Sequence, residues 1–195
     1  MARTGLKKGK YNKHDTATGK FAALTSSSVP LLEKLIDEKF APEFNSAELY
    51  ADDSLAETDY SYKKGTLTLT VANDDDKKGA ELLGNAIDEG GEVTMHTDDT
   101  APEIGYGHIL PKQVNNKKMY KVEFFPRVKI TKITTDAKTR GEGVEFGTTS
   151  IEGKVMALAS DFNGMKAGTW EKHNTFETED EAETYLNNCL TPSVS

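Results

Sequence analysis

Residue types that could carry out chemistry are few in this chain and lie far apart. The four histidines are scattered along the sequence: His14, His96, His108 and His173. His96 precedes Asp98 and Asp99, the only spacing that resembles a metal site, and one such group is a weak signal. We expect His108, in a predicted strand, to be a packed or interfacial residue. Cys189, the one cysteine, falls on the apolar face of a predicted helix and is most simply a small core residue.

Sequence motifs for nucleotide binding and nucleophilic catalysis are incomplete. Residues 5–10 read Gly-Leu-Lys-Lys-Gly-Lys, one residue short of a phosphate-binding loop, and are followed by Tyr11 instead of serine or threonine. There is no complete dinucleotide fingerprint and no Gly-x-Ser-x-Gly elbow. Paired carboxylates are expected by chance among 32 acidic residues, so they do not indicate a glycosidase. We therefore predict no catalytic residue, no metal and no cofactor, and a protein that binds other proteins.

The composition fits one folded domain of 195 residues with a net charge of −8. No apolar run approaches the roughly 18 residues of a membrane span, and we expect no secretory signal because residues 1–7 contain no apolar segment. One cysteine excludes an intramolecular disulfide and favours synthesis in a reducing cytoplasm.

Basic residues are concentrated near the N-terminus. Residues 1–20 hold six basic residues and one acidic residue, so this segment carries +5 and the remainder of the chain −13. Three interpretations stay open: a solvated tail, a segment that docks on an acidic body of its own or a neighbouring chain, and a nucleic-acid contact. The third is disfavoured because the acidic remainder would repel phosphate.

The elements that would position these residues are mostly short strands. Residues 1–28 lack periodicity and are predicted as an extended N-terminal arm, and residues 29–195 as a single β domain. The sequence pattern predicts the following strands: residues 65–72, 91–96, 104–110, 119–125, 128–133, 144–147, 149–158 and 170–176. Residues 31–40 fit helical spacing as well as strand alternation, so their pattern alone leaves the choice open.

Two helices are predicted from capping residues. The aspartates at residues 74–76 can cap a helix at about residues 75–86, because their side chains accept hydrogen bonds from free N–H groups. Residues 178–181 read Thr-Glu-Asp-Glu, a capping box that opens a helix. Since strands do not alternate regularly with helices, we predict a mainly β (α+β) fold, an antiparallel β-sandwich or barrel with one or two flanking helices.

The longest polar insertion between predicted strands lies within residues 47–71. We predict a strand, a polar loop at residues 52–64, and a second strand in which Leu67, Leu69 and Val71 alternate with threonines. A loop of about a dozen residues is long for a strand connection, and such loops are usually functional or disordered. The two tyrosines in it argue against plain disorder.

An ordered set of segments across most of the chain resembles the major tail protein, or tail tube protein, family of long-tailed bacteriophages. The best match reads Glu-Leu-Tyr-Ala-Asp-Asp at residues 48–53, Leu-Ala-Glu at 55–57 and Gly-Thr-Leu-Thr-Leu at 65–69. The further matching segments are residues 3–6, 80–84, 141–155 and 172–190. No single segment has a chemical signature, so the specificity comes from their order, and residues 10–40 depart most from the family pattern.

The resemblance implies a structural virion protein. Members of this family fold as a small β-sandwich or barrel with a flanking helix and form rings, typically hexameric, that stack into a tube around a tape measure protein. The tube later conducts phage DNA into the host without specific binding, and tail terminator and distal tail proteins are further implied partners. Such a protein would be made in the host bacterial cytoplasm and become part of the virion tail, with no membrane partner. The resemblance also favours a strand over residues 31–40.

From the resemblance and the residue pattern together, we expect self-assembly contacts on two segments. The loop at residues 52–64 would contact the next ring through aromatic anchors, and the basic N-terminal segment would dock on an acidic body. The expected interface residues are Arg3, Lys7, Lys8, Lys10, Asp52, Asp53, Leu55, Tyr60 and Tyr62.

Two other classes of function remain as alternatives. A monomeric β-sandwich binding module, of adhesin or carbohydrate-binding type, predicts an exposed aromatic cluster, whereas Trp170 stands alone in the sequence. A small acid–base enzyme would need a pocket that gathers His108 or His173 with a carboxylate.

Overall fold

The computed structural model describes residues 5–24, 29–32, 34–51, 54–72, 75–135 and 147–193, and among them residues 47–51 and 54–59 by their backbone alone. The strands are β1 (Lys7–Asp15), β2 (Lys20–Phe21), β3 (Leu31–Leu32), β4 (Leu35–Ala51), β5 (Ser54–Val71), β6 (Ala86–Ile87), β7 (Val93–Thr94), β8 (Glu103–Val114), β9 (Lys117–Thr135), β10 (Thr149–Val155) and β11 (Lys172–Phe176). The helices are α1 (Asp76–Leu83) and α2 (Glu179–Leu190). Neither helix has the length and apolar character needed to cross a membrane.

Nine of these strands form one antiparallel sheet. Its order is β2-β1-β8-β9-β10-β5-β4, with β11 also paired to β9 and β3 to β1, while β6 and β7 form a separate pair. The arrangement confirms the predicted mainly β fold with two helices. Over the described ranges the sheet ends at β2 and β4 instead of closing on itself. The predicted strand at residues 144–147 lies outside these ranges except for Gly147.

Strand β8 lies between two hydrophobic cores because its side chains alternate between the faces of the sheet. Ile104 and Tyr106 pack on one face with residues of β5, β9 and β10. Ile109 packs on the other face, in the core that contains the buried residues of α2. All three side chains are at most 2% exposed, and burial of a large apolar side chain contributes about 1.5–3 kcal/mol to stability.

Helix α2 begins at the predicted capping box. The Thr178 hydroxyl accepts a hydrogen bond from the Glu181 N–H, and the Glu181 carboxylate accepts one from the Thr178 N–H. Gly105 and Gly107 of β8 face this helix, and a Cβ atom at Gly107 would lie 2.6 Å from Leu186 Cδ1. These two glycines therefore let the helix pack closely on the sheet.

Helix α1 confirms the prediction at about residues 75–86. The Asp75 carboxylate accepts a hydrogen bond from the Lys78 N–H at the helix start, and Gly84 ends the helix with a φ of 78°. Glycine is favoured there because other residues rarely adopt this left-handed conformation. Ala80 and Leu82 bury the inner face of the helix.

The two strands predicted on either side of Pro126 are one continuous strand, β9. In its pairing with β8, Ile104 lies opposite Val128 and Tyr106 opposite Phe125, so one residue of β8 faces two residues of β9. Pro126 falls in this β-bulge, which tolerates a residue that has no N–H to donate. For this reason the proline does not end the strand.

Strand β1 belongs to the sheet, whereas residues 1–28 were expected to form an extended arm. Tyr11 and Asn12 are at most 6% exposed. The Asn12 amide donates to the carbonyl oxygens of Ala22 and Leu190, so a polar side chain is satisfied inside the fold. The sequence of β1 lacks apolar alternation because some of its buried residues are polar and have specific partners.

Strands β4 and β5 form a long antiparallel hairpin. Residues 31–40 contribute to β3 and the start of β4, which confirms the strand prediction over the helical alternative. The predicted loop at residues 52–64 is instead strand from Ser54 onward, since β5 pairs with β4 over its whole length. The segment before Gly65 lacks the alternation that marks a half-buried strand, so its sequence pattern resembles that of a loop.

Candidate functional site

The β4–β5 hairpin extends beyond the rest of the sheet. Strand β5 pairs with β10 only from Gly65 to Val71. In the described part of the chain, residues 43–51 and 54–64 therefore pair only with each other. A strand of nine residues spans about 30 Å. Because β4 ends the strand order, the hairpin also carries an open edge of the sheet.

Aromatic rings attach the base of the hairpin to the body of the domain. Phe40 packs on Phe125, with ring centroids 4.7 Å apart, and on Trp170 at 5.9 Å. Tyr62 stacks on Trp170 at 4.3 Å, and Phe44 lies edge-on to Tyr62 at 5.9 Å. Trp170, isolated in the sequence, thus belongs to a basal aromatic cluster of these five residues. Such ring contacts add stability beyond the area that they bury.

The two predicted aromatic anchors, Tyr60 and Tyr62, have different surroundings. The Tyr62 hydroxyl donates to the Val155 carbonyl oxygen at 3.0 Å, and burial raises the pKa of Tyr62 to about 12. Tyr62 is therefore held by its own chain. Tyr60 lies on the same face of β5, two residues away, and is 66% exposed, while Phe44, opposite Tyr62, is 52% exposed. Phe44 and Tyr60 are thus two exposed aromatic side chains on one face of the hairpin.

Less of the structure is described for the four remaining predicted interface residues. Leu55 lies in β5, where its backbone pairs with Tyr50. Arg3, Asp52 and Asp53 lie outside the described ranges.

The three predicted interface lysines of β1 contact helix α2 of the same chain. Lys7 Nζ lies 3.1 Å from a carboxylate oxygen of Glu179, and Lys8 pairs with both Glu179 and Glu183. Lys10 Nζ lies 2.6 Å from Glu183, and the Lys10 side chain is only 7% exposed. The basic N-terminal segment therefore docks on an acidic face of its own chain, one of the interpretations that the sequence left open.

Glu183 is the centre of this group of ion pairs. Hydrogen bonds from Lys10 and Lys8 lower the pKa of Glu183, and the hydrogen bond to Glu183 raises the pKa of Lys8. Lys7 and Lys8 likewise lower the pKa of Glu179. Each shift favours the charged form, so these contacts stabilise the packing of β1 against α2 at neutral pH.

A buried histidine lies between two glutamates where the hairpin base meets β8 and β9. His108 is fully buried, and its Nε2 lies 2.8 Å from Glu38 Oε2 and 3.5 Å from Glu123 Oε2. The Glu38 and Glu123 side chains are 8% and 13% exposed. Lys121 Nζ contacts the other carboxylate oxygen of Glu123 at 2.6 Å. Strands β4, β8 and β9 together position this Glu38–His108–Glu123 cluster.

The charges in this cluster compensate one another. Burial acts to lower the pKa of His108, but the nearby Glu123 and Glu38 carboxylates outweigh it and raise that pKa above its ordinary value. Burial acts to raise the pKa of Glu123, whereas His108 and Lys121 lower it to about 2. The two carboxylates therefore favour a positive charge at the imidazole, next to an ionised Glu123.

The packing of His108 and Cys189 was predictable from the sequence. His108 is packed, as expected, and Cys189 is a buried core residue whose pKa is raised by burial. The glutamate partners of His108 were missed. Glu123 lies directly opposite His108 in the β8–β9 pairing, so a correct strand register would have found it. Glu38 comes from β4, and no spacing in the sequence relates it to β8.

His96 and Asp99, whose spacing gave a weak signal for a metal site, have a simpler structural role. The His96 backbone N–H donates to the Asp99 carboxylate at 2.8 Å, which stabilises a local turn.

The similarity of this chain to known proteins is limited to solved structures. No family model matches the chain, and no curated protein matches it. Among solved structures, the chain is similar to the SPP1 tail tube, determined by solid-state NMR and cryo-electron microscopy. The two share 14% sequence identity with a TM-score of 0.39, over 92% of this chain and 83% of that chain.

Proposed function

We propose that this chain is a structural tail tube protein that self-assembles into stacked rings. The proposal starts from the ordered segments that resemble the major tail protein family. The observation that carries it in the structure is the β4–β5 hairpin, which extends beyond the sheet with an open edge and the exposed side chains of Phe44 and Tyr60. A projecting hairpin of this kind suits contact with another subunit better than it suits a catalytic pocket.

Two physical features of the hairpin favour contact with a second copy. An open strand edge presents unpaired N–H and C=O groups, which a neighbouring strand can pair with. Exposed aromatic side chains are favoured as interface anchors because they bury a large area at little entropic cost. Stacked rings need a head-to-tail contact between different surfaces of identical subunits, and the hairpin of one subunit on the body of a subunit in the next ring would supply such a contact.

The proposal assigns different roles to the two predicted contact segments. Lys7, Lys8 and Lys10 hold β1 against α2 in the same subunit, as their ion pairs indicate. We assign the contact between subunits to the hairpin, with Tyr60 as its central anchor and Asp52, Asp53 and Leu55 as further proposed contact residues. The family resemblance implies the remaining parts of the proposal. The rings would typically be hexameric, the tube would enclose a tape measure protein, and phage DNA would pass through it.

Shortening the hairpin tests this function. Residues 46–60 would be replaced by Asn-Gly, a two-residue turn that joins Asn45 to Ser61, which are opposite each other in the hairpin. The basal aromatic cluster stays intact, so the subunit should remain folded by circular dichroism. We expect this variant to stay dispersed under conditions in which the unmodified chain forms tubes. Normal tubes from the shortened chain would contradict the proposal.

A binding module is the second candidate, and the basal aromatic cluster favours it. Phe44 is exposed and Tyr62 and Trp170 are half-buried, and clustered aromatic rings can stack on sugar rings. This candidate predicts monomers that bind an oligosaccharide and lose that binding on Phe44→Ser substitution. Self-assembly with no oligosaccharide binding would exclude it.

A further inference from the structure

Several polar atoms in the Glu38–His108–Glu123 cluster make no well-directed hydrogen bond. These atoms are both ring nitrogens of His108 and Oε2 of Glu38, although Nε2 lies only 2.8 Å from that oxygen. The imidazole is fully buried, so its ring nitrogens do not face bulk solvent. Buried polar groups in native proteins usually have a partner, and an orphan group calls for an explanation such as an ion.

The geometry of the cluster fits a small ion. One ligand atom from each of the three residues lies within 4.8 Å of the others. Zinc binds nitrogen and oxygen ligands at about 2.0–2.2 Å in tetrahedral geometry, which places neighbouring ligand atoms about 3.4 Å apart. His108 Nε2 and Glu123 Oε2 are already 3.5 Å apart. The Glu38 carboxylate would have to move outward by about half an ångström to reach this separation.

We propose that Glu38, His108 and Glu123 bind a divalent transition-metal ion of the zinc type. An imidazole nitrogen with two carboxylate oxygens suits zinc, cobalt or manganese, whereas magnesium and calcium prefer oxygen ligands alone. Three protein ligands leave a fourth tetrahedral position for water. The three ligands come from β4, β8 and β9, so the ion would join the hairpin base to the centre of the sheet.

The surroundings of the cluster are compatible with this site. Glu38 and Glu123 line a surface pocket together with Phe125 and Glu171, which gives an ion a path to the ligands. Lys121 donates a hydrogen bond to Oε1 of Glu123. The other oxygen of this carboxylate, Oε2, therefore faces His108. Ligating carboxylates are commonly held in this way by a second hydrogen bond.

Zinc titration of the full-length chain tests the proposal independently of tube formation. The protein would be stripped with a chelator and titrated with Zn²⁺ by isothermal titration calorimetry. We expect one ion per chain and a rise in the melting temperature with added Zn²⁺. Glu38→Gln and Glu123→Gln preserve side-chain shape while weakening a ligand, and each should lower the affinity at least about tenfold.

The control is an exposed histidine outside the Glu38–His108–Glu123 cluster. His173 Nδ1 lies 3.1 Å from Glu171 Oε1, and the His173 side chain is 61% exposed. His173→Ala should leave zinc binding unchanged. Equal affinity in the unmodified chain and the Glu38→Gln/Glu123→Gln double variant, with both folded by circular dichroism, would overturn the proposal. Absence of stoichiometric binding to the unmodified chain would overturn it as well.

Discussion

Tyr62 and Trp170 stack face to face, with ring centroids 4.3 Å apart and planes only 6° from parallel. Tyr62 belongs to the hairpin strand β5, and Trp170 lies just before β11, which pairs with β9. This contact therefore joins the projecting hairpin to the body of the domain. Because Trp170 is the one tryptophan of the chain, its fluorescence reports directly on the hairpin base.

Truncation of Tyr62 should loosen this base. We expect Tyr62→Ala to lower the free energy of unfolding by about 1–3 kcal/mol, because it removes the stacked ring and the hydrogen bond to Val155. Tyr62→Phe keeps the ring and should cost about 0.5–1.5 kcal/mol. Urea unfolding followed by Trp170 fluorescence measures both. Equal losses for the two variants would show that the stacking contributes nothing.

The exposed anchor Tyr60 should affect assembly and leave folding intact. Tyr60→Ser removes an aromatic side chain that is 66% exposed, so the unfolding midpoint should barely change. Sedimentation should show a clear loss of large assemblies. Met95→Ser is the matched control, since Met95 is 73% exposed but lies near α1 and Val71, at the opposite end of β5 from the hairpin tip. A similar effect of both substitutions would indicate general surface stickiness instead of a specific contact.

Two glycine substitutions should have opposite effects on stability, because Gly107 of β8 is closely packed against α2 whereas Gly79 of α1 has room for a Cβ atom. A Cβ atom at Gly107 would lie 2.6 Å from Leu186 Cδ1 and 2.9 Å from the Glu123 carbonyl oxygen. Gly107→Ala should therefore destabilise the fold by about 1–3 kcal/mol. At Gly79, in α1, the nearest atom is Ile133 Cδ1 at 3.6 Å, so Gly79→Ala should stabilise by about 0.5–1 kcal/mol. Thermal unfolding of both variants checks the sign of each effect.

The ion pairs of Glu183 should make stability depend on pH in the acid range. Lys10 and Lys8 lower the pKa of Glu183 in the folded chain below its ordinary value of 4.5. A lowered folded-state pKa means that the unfolded chain binds the proton more readily. The contribution of Glu183 is therefore fully present above the ordinary value and is lost as the pH falls through the folded-state pKa.

Glu183→Gln tests this pH dependence. At pH 7 we expect the free energy of unfolding to fall by about 1–3 kcal/mol, because the nearly buried Lys10 loses its charged partner. The difference from the unmodified chain should narrow as the pH is lowered below 4.5, the ordinary value of the glutamate pKa. Asp161→Asn, in the exposed pair with Lys166, should have little effect at either pH. A constant difference for Glu183→Gln across this range would contradict the assignment.

Sequence patterns predicted those elements whose local residues determine their structure. The capping box at Thr178, the aspartate cap of α1 and the alternation of Leu67, Leu69 and Val71 each depend on neighbouring residues, and each is present. Residues 54–64 of β5 were predicted as part of a loop because their sequence lacks the alternation of a half-buried strand.

The charged contacts depend on parts of the chain that the fold alone brings together. Lys10 meets Glu183 because β1 packs beside α2, and Glu38 meets His108 because the hairpin base folds against β8. Neither pair has a spacing that a sequence pattern could reveal. The strand register would have predicted Glu123 beside His108, which shows where correct topology adds information to sequence.

Negative-stain electron microscopy of the purified full-length chain tests the central proposal most directly. If the chain is a tail tube protein, concentrated samples should show rings or stacked tubes, and the hairpin-shortened variant should show neither. Uniform small particles from the unmodified chain at high concentration would contradict self-assembly and favour a monomeric binding module.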